Sequence, residues 1–289
     1  MRCRSLCGGA IALVSLAACR SDRAPPAVAA AAPASPQSAA ASSPNVITFT
    51  ATDYGYQGPK EIPAGPTEFR LSNHGKELHH LIIARLDGGK TYDSLLVALK
   101  KPGMPPAWMH PVGGPNAADP GGESNATEDL TPGHYAVLCY IPSADGVPHV
   151  AKGMISSLEV TPGSSTAKAE RADIVVTLKD YSFDLSTPLT AGRHVIRVEN
   201  GGPQAHELVL AKFAPGKSMA DLAAWEQGGE KGPPPTSFMG GLSPMEQSAS
   251  GQFTVELTPG SYVLLCFLPD SKDGKPHLMH GMVKPITIG

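Results

Sequence analysis

The sequence contains one pattern twice. A segment that begins near Asn45 and one that begins near Ala172 match at a constant offset of 127 positions, which becomes 128 near their ends. Each copy has about 115 residues, enough chain for one hydrophobic core. The repeat therefore predicts two domains of the same fold. The matched pairs include Asp53/Asp180, Tyr54/Tyr181, Asn73/Asn200, His79/His206, Gly113/Gly240, Gly114/Gly241, Cys139/Cys266, His149/His277 and Met154/Met282.

Composition and local pattern favour short strands. The 289 residues include 31 Gly and 29 Pro, and only 17% are charged. Alternating apolar runs bounded by turn residues are typical of β-strands in sandwiches. We expect an all-β fold of two β-sandwich domains, 45–161 and 172–289, joined by a linker at 162–171. A mixed β-rich fold with a larger helical insert is the alternative.

The elements expected inside the two copies correspond to each other. A short helix is predicted near 91–100 in the first copy, and Ser218-x-x-Asp221 has the pattern of a capping box that begins a helix in the second. The Gly/Pro-rich segments 102–128 and 228–251 are expected to be loops. The predicted strands are 45–52, 67–73, 78–86, 135–140, 154–160, 173–179, 194–200, 206–213, 262–268 and 282–288.

The N-terminus has the pattern of an export signal. Residues 1–18 combine two early arginines with an apolar run that is too short to be a permanent membrane span. The run ends in Leu-Ala-Ala before Cys19, which resembles a bacterial lipobox and predicts lipidation of Cys19; an ordinary signal peptide is the alternative. The Ala/Pro/Ser-rich residues 19–44 are expected to be a flexible tether. We therefore expect a protein of the bacterial cell envelope, held on the membrane by its N-terminal lipid and facing the periplasm or the exterior.

Charge and cysteine content limit the other partners. The formal net charge is −3 and no basic cluster occurs, so nucleic acid is not an expected partner. Once the leader is removed and Cys19 is lipidated, Cys139 and Cys266 are the remaining cysteines. A disulfide between them is the simple expectation outside the cytoplasm. Their equivalent positions in two copies of one domain make such a bridge geometrically demanding.

One set of residue types recurs in both copies. The first copy has Cys-x9-His-x4-Met and the second has Cys-x10-His-x4-Met, each with another His upstream at matched spacing. Thiolate and thioether are soft ligands, and together with imidazole they suit copper. The two sets are His79, Cys139, His149 and Met154 in the first copy and His206, Cys266, His277 and Met282 in the second.

This pattern resembles the cupredoxin, or blue-copper, family across both repeats. The resemblance implies two tandem Greek-key β-sandwich domains, each with a short helical insert and one type 1 copper ion. It implies that the two His and the Cys of each set are equatorial ligands and that Met154 and Met282 are axial. Asn73 and Asn200 would fasten the ligand loops, although turn residues before Gly are as good an interpretation. The Cys-to-His spacing is longer than in small blue-copper carriers and closer to that of copper nitrite reductases.

Neighbouring histidines leave alternative choices of ligand. His79 is preferred to His80 because His79 aligns with His206, whereas His80 aligns with Glu207. By the same comparison His277 is preferred to His280. A family member that has kept the sandwich and lost the metal is a further alternative.

Electron transfer is the function that these expectations favour, with a redox partner that the sequence does not identify. The loop histidines lie among apolar residues, which predicts an exposed imidazole edge for docking and electron exit. Copper storage or delivery at the envelope would use the same ligands. An enzyme of the nitrite reductase or multicopper oxidase kind would need further His ligands, and none flanks Cys139 or Cys266.

Overall fold

The computed structural model describes residues 44–101, 105–163, 168–228 and 232–289. The predicted signal peptide, Cys19 and nearly all of the predicted tether lie outside these residues, as does part of the predicted linker. The described residues together belong to one compact unit. No helix in the described ranges has the length and apolar character needed to cross a membrane.

The described residues of the first repeat form nine strands and one α-helix. The strands alternate buried and exposed side chains, as expected for sheets with one face in a core. In chain order its elements are β1 Asn45–Thr52, β2 Gly55–Gln57, β3 Glu61–Pro63, β4 Gly65–Asn73, β5 Ile82–Leu86, α1 Tyr92–Leu99, β6 Met109–Gly113, β7 Glu123–Leu130, β8 Gly133–Leu138 and β9 Ile155–Thr161.

The described residues of the second repeat form eight strands and one α-helix in the same order, without a counterpart of β3. Both helices begin at a capping box, at Thr91 and Ser218. Its elements are β10 Ile174–Lys179, β11 Ser182–Leu185, β12 Gly192–Asn200, β13 His206–Phe213, α2 Met219–Gln227, β14 Thr236–Met245, β15 Ser250–Leu257, β16 Gly260–Leu265 and β17 Val283–Ile288.

Two sheets run through both repeats. One has the strand order β11-β10-β12-β15-β7-β4-β1-β2, and the other has β17-β16-β13-β14-β6-β5-β8-β9-β3. The repeats join where Thr127 of β7 pairs with Gln252 of β15, and where Val112 of β6 pairs with Met245 of β14. The all-β expectation, with a sandwich and a short helix in each repeat, is confirmed.

The sequence predicted neither the strands of this seam nor the short strands β2, β3 and β11. Segments 102–128 and 228–251, expected to be loops, contain β6, β14 and parts of β7 and β15. Glycine is needed next to β6 and within β14, where two backbones approach closely. A side chain on Gly114 would place its Cβ 2.2 Å from the Leu81 carbonyl oxygen, and Gly241 would meet the Leu208 carbonyl oxygen at 2.0 Å. Both glycines have positive φ, at 113° and 123°, which only glycine adopts without strain.

Alternation along β8 positions the predicted Cys of repeat one. Val137 and Cys139 point into the sandwich core, together with Phe49 and Phe69 of the opposite sheet. Leu138 points the other way and packs under helix α1. Because successive side chains face opposite sides of a strand, the residue after β8 arrives in the core. Cys266 lies in the core of the second sandwich in the same way.

A buried carboxyl group marks the seam. Glu128 is 2% exposed, and its Oε1 accepts a hydrogen bond from the Gly114 N–H at 2.9 Å. Burial raises the pKa of Glu128 to about 8, although the Gly114 N–H acts in the opposite direction. The corresponding residue of repeat two is Val255. Glu128 is therefore protonated in the folded chain at neutral pH.

We expect the contribution of Glu128 to the stability of the fold to fall as the pH rises from 5 to 8. The folded-state pKa of Glu128 lies above its ordinary value of 4.5, so its contribution is complete below the ordinary pKa and is lost as the pH rises through about 8. Glu128→Gln cannot ionise and keeps an acceptor for Gly114. Relative to the native chain, it should raise the unfolding free energy at pH 8 over that at pH 5 by on the order of a few kcal/mol.

Urea unfolding at pH 5 and pH 8 measures this difference. Glu123→Gln, at an exposed position on the same strand, is the matched control and should leave the slope of the native chain unchanged. An equal pH slope for Glu128→Gln and the native chain would contradict the burial argument.

Candidate metal centres

Each sandwich core contains a His–Cys–His group. In repeat one, Nδ1 of His79 lies 3.1 Å from Nδ1 of His149, which lies 3.4 Å from Sγ of Cys139. All three residues are fully buried. Their potential ligand atoms lie within 4.8 Å of one another, which suits one metal ion.

Repeat two has the same arrangement. Nδ1 of His206 lies 3.1 Å from Nδ1 of His277, and Sγ of Cys266 lies 3.4 Å from that same nitrogen. These three residues are also fully buried and form a second group that could hold a metal ion. The structure thus brings together the histidines and cysteines that the sequence singled out, separately in each repeat.

The backbone between the last two strands of repeat one fixes two members of its group. After Cys139 the chain loops out and returns, and the His149 N–H donates to the Ile141 carbonyl at 3.0 Å. His149 then begins a single 3-10 turn that ends at Gly153, whose φ of 105° suits glycine. The Met154 N–H donates back to the His149 carbonyl at 2.9 Å.

The third member comes from another part of the chain. His79 pairs with Ala118 through two backbone hydrogen bonds, at 3.3 Å and 2.8 Å, just before β5. His206 opens β13 in the same way and pairs with Met245 of β14. Ligands drawn from two separate segments give a rigid group.

Carboxylates fix the tautomers of three of the four rings. Nε2 of His79 lies 2.9 Å from Asp53, Nε2 of His206 lies 2.9 Å from Asp180, and Nε2 of His149 lies 2.7 Å from Glu77. A carboxylate accepts a proton but does not donate one, so each of these Nε2 atoms carries the hydrogen.

The carboxylates remain ionised. Burial alone would raise the pKa of Asp53, Glu77 and Asp180, but hydrogen bonds to their oxygens outweigh it and hold each pKa below its usual value. With the proton on Nε2, each Nδ1 presents a bare lone pair towards the others and towards the Cys sulfur. This donor set fits a bound soft or borderline cation, which would relieve the repulsion between the lone pairs.

The two buried thiols also favour a bound cation. Burial raises the pKa of Cys139 to about 12, against smaller opposing effects of the backbone N–H groups of His80 and Ile141. Burial likewise raises the pKa of Cys266 well above its usual range. A thiolate in either core therefore requires a cation beside it, and coordination to a metal deprotonates a thiol.

The methionines lie in the same cores. Met154 is fully buried in one hydrophobic cluster with Cys139, and Met282 is fully buried in one cluster with Cys266. Each follows the 3-10 turn that begins at the loop histidine. Both thioethers are thus sealed from solvent in the cluster that contains the thiol of their repeat.

Asn73 and Asn200 hold the segment before the first histidine. Nδ2 of Asn73 donates to the Glu77 carbonyl and to the Ala118 carbonyl, both at 2.8 Å, and its Oδ1 accepts from the Gly75 N–H. Asn200 makes the corresponding bonds in repeat two. The asparagine is therefore both a turn residue and a tie between the loop and the neighbouring chain.

One sequence-based expectation is wrong, and one alternative that the sequence disfavoured is excluded. The loop histidines do not expose an imidazole edge, because His149 and His277 are fully buried. The ring of Tyr54 covers His149 at a centroid distance of 5.0 Å, and Tyr181 covers His277 at 5.8 Å. The disulfide alternative also fails, since Cys139 and Cys266 are free thiols in separate cores.

The neighbouring histidines have other roles. Nε2 of His80 accepts the Tyr140 N–H at 2.9 Å, and burial lowers the pKa of His80 to about 3. His80 therefore supports the chain next to Cys139 without joining the group. His280 lies near Asp270 and Asp273 and stacks on Tyr181 at 5.1 Å.

The sequence did not indicate the carboxylates that contact the ligand histidines. Asp53 and Asp180 form part of a repeated Asp-Tyr pair, which was visible as a match between the copies without a suggested role. Glu77 had no such signal, because its counterpart is Gln204.

Comparison with known proteins gives only distant likenesses. No protein-family model and no curated protein matches the chain. Among solved structures, an auracyanin from Roseiflexus castenholzii is 24% identical with a TM-score of 0.29, covering 40% of this chain and 94% of that one. A blue copper oxidase from Nitrosomonas europaea is 12% identical with a TM-score of 0.27, covering 84% and 86%.

A copper-containing nitrite reductase from Thermus scotoductus is 11% identical with a TM-score of 0.24, covering 86% of this chain and 62% of that one. All these identities and TM-scores are low, so the likenesses by themselves assign no function to the chain.

Removing the asparagine tie should destabilise the fold. Asn73→Ala leaves two buried carbonyls without their donor, which costs about 1–3 kcal/mol of unfolding free energy. Asn200→Ala should cost a similar amount, because its bonds are the same. Chemical denaturation of the metal-free protein measures both losses. Ser72→Ala, at the adjacent strand position, is the control and should stay within about 0.5 kcal/mol; an equal loss there would contradict the role of the tie.

Proposed function

We propose that this protein is an electron-transfer protein with one type 1 copper centre in each repeat. The observation that supports this most strongly is the convergence of two histidine Nδ1 atoms and one thiol sulfur in each buried core. His79, Cys139 and His149 would hold one copper ion, and His206, Cys266 and His277 the other. Met154 and Met282 would be the axial ligands, since each buried thioether shares a core with its thiol.

Copper with a thiolate and two imidazoles supplies a centre that accepts and releases one electron. The chain keeps its ligands in place through both states. Asp53 and Asp180 fix the ring of the first histidine in each repeat, and the 3-10 turn fixes the second. The core excludes water, so no solvent molecule has to enter or leave when the charge changes.

The burial of the proposed ligands favours electron transfer over copper storage or delivery. Every proposed histidine and cysteine ligand is fully enclosed, which is expected to make exchange of the metal with an external chelator slow. A delivery protein would need an accessible ligand. Slow exchange together with a reversible redox couple would support electron transfer; rapid exchange would favour the delivery alternative.

An oxidase or reductase is the less favoured alternative. Substrate chemistry at a metal needs an open coordination position. Both groups are sealed, and the residues that flank the cysteines are Leu138 and Tyr140 in repeat one and Leu265 and Phe267 in repeat two. More than two copper ions per chain would revive this alternative.

The location is part of the same proposal. The lipobox-like end at Cys19 supports anchoring to a bacterial membrane by an N-terminal lipid, with the copper domains outside the cytoplasm. The redox partner would then be another protein of the cell envelope. Release of the protein from membranes by detergent but not by high salt tests the anchor, and Cys19→Ser should abolish the membrane association.

Copper loading tests the central proposal. The loaded protein should bind two copper ions and show an intense blue thiolate-to-copper absorption band. Cys139→Ser and Cys266→Ser, made separately, should each lose one copper ion and about half of the band, since each thiol belongs to one core. Loss of both centres from either single substitution, or loaded protein without the band, would contradict the proposal.

A further inference from the structure

Each repeat has one carboxylate near the loop histidine, His149 or His277, but the two repeats place it on different loops. Glu77 of repeat one corresponds to Gln204, and Ser143 corresponds to Asp270. The carboxylate of repeat one therefore comes from the segment before His79, whereas that of repeat two comes from the loop after Cys266. Each repeat keeps one carboxylate and one neutral polar residue at this pair of positions.

In repeat one the carboxylate holds the loop histidine directly. Oε2 of Glu77 lies 2.7 Å from Nε2 of His149, and Oε1 accepts the Tyr54 hydroxyl at 3.1 Å. Glu77 therefore links the ring that faces the thiol to the tyrosine that covers it. Ser143 lies beside them, and its hydroxyl donates to the Tyr54 oxygen at 3.3 Å.

In repeat two the corresponding contact is longer. Oδ2 of Asp270 accepts the Tyr181 hydroxyl at 2.6 Å and Nε2 of Gln204 at 3.0 Å, but it lies 3.8 Å from Nε2 of His277. Nε2 of His277 is buried and has no hydrogen-bond partner among the described residues. Asp270 is thus the carboxylate nearest to that ring, although the contact is beyond hydrogen-bond distance.

The first histidine of each repeat does not share this difference. Asp53 and Asp180 lie 2.9 Å from His79 and His206, respectively. The inequivalence at these outer nitrogens is therefore confined to the loop histidines. It concerns the ring that lies 3.4 Å from the thiol sulfur in each repeat.

We propose that Glu77 and Asp270 are equivalent positioning residues for the loop histidine, and that their unequal contacts make the two copper centres electronically different. This inference rests on the proposed copper-binding function. A carboxylate that accepts the Nε2 hydrogen fixes the ring orientation and raises the basicity of Nδ1. A more basic Nδ1 stabilises Cu(II) more than Cu(I), so direct contact with Glu77 lowers the reduction potential of the first centre.

The residues of repeat two can be introduced at Glu77 and Ser143, so the inference can be tested within repeat one. In a Cys266→Ser background only the first centre binds copper, so its potential and affinity are measured alone. Glu77→Gln copies the amide of repeat two and should weaken Cu(II) binding about 10- to 100-fold. With unchanged Cu(I) affinity, that loss corresponds to a rise in reduction potential of roughly 60–120 mV at 59 mV per tenfold change.

A second substitution, at Ser143, tests whether the effect of Glu77→Gln comes from the loss of a carboxylate or from a change in local packing. Glu77→Gln with Ser143→Asp recreates the arrangement of repeat two and should recover at least half of the lost Cu(II) affinity. Glu77→Gln with Ser143→Asn has nearly the same shape without the carboxylate and should recover none. A ring ¹⁵N spectrum of the metal-free protein adds an independent readout, because Glu77→Gln should weaken the preference of His149 for the Nε2-protonated tautomer.

Two results would overturn the inference. In the first, Glu77→Gln changes neither the Cu(II) affinity nor the reduction potential. In the second, Ser143→Asn and Ser143→Asp recover the Cu(II) affinity equally. A blue band in the parent protein together with either result would refute the positioning role and leave the proposed function intact. If Glu77→Gln does not fold, Asp270→Asn in a Cys139→Ser background poses the same question in repeat two, where an unchanged potential would refute the role of Asp270.

Discussion

The repulsion between the buried lone pairs of two ring nitrogens is the constraint on which the first candidate metal centre depends. In repeat one, Asp53 and Glu77 hold the ring hydrogens on the outer nitrogens, so the inner nitrogens of His79 and His149 face each other without a ring proton between them, beside the Cys139 thiol. A fold that needed only packing would not collect these groups in a dry core, because buried polar atoms without partners cost free energy. A cation at the centre turns the same arrangement into a stabilising one.

The sequence predicted the chemistry better than it predicted the architecture. Chemical identity and spacing survive in a repeat, so His79, Cys139, His149 and their counterparts could be found by matching the two copies. Strands β6 and β14 could not, because Gly114 and Gly241 serve a close backbone approach that has no hydrophobic period. The burial of His149 and His277 was not predicted for another reason. It depends on Tyr54 and Tyr181, which are distant in sequence and pack on these rings only in the folded chain.

The shared sheets make the two sites parts of one body. Glu207, next to His206, accepts the Phe267 N–H at 3.0 Å and the side-chain amide of Asn116 at 3.1 Å. Asn116 is two residues before Ala118, which pairs with His79 of the other site. A buried polar contact thus runs across the seam from the chain beside one group to the chain beside the other. Burial raises the pKa of Glu207 to about 7, against the opposing effect of its hydrogen bonds to Asn116 and Phe267.

The ligand environment of bound copper tests the account most directly. The fully loaded protein should bind two copper ions per chain, and X-ray absorption spectroscopy should show one short sulfur and two imidazole nitrogens as the nearest neighbours of copper. That result requires the thiol and both rings of each core to contact a single ion. A copper shell of oxygen and nitrogen alone, or copper bound outside the two cores, would contradict the central claim.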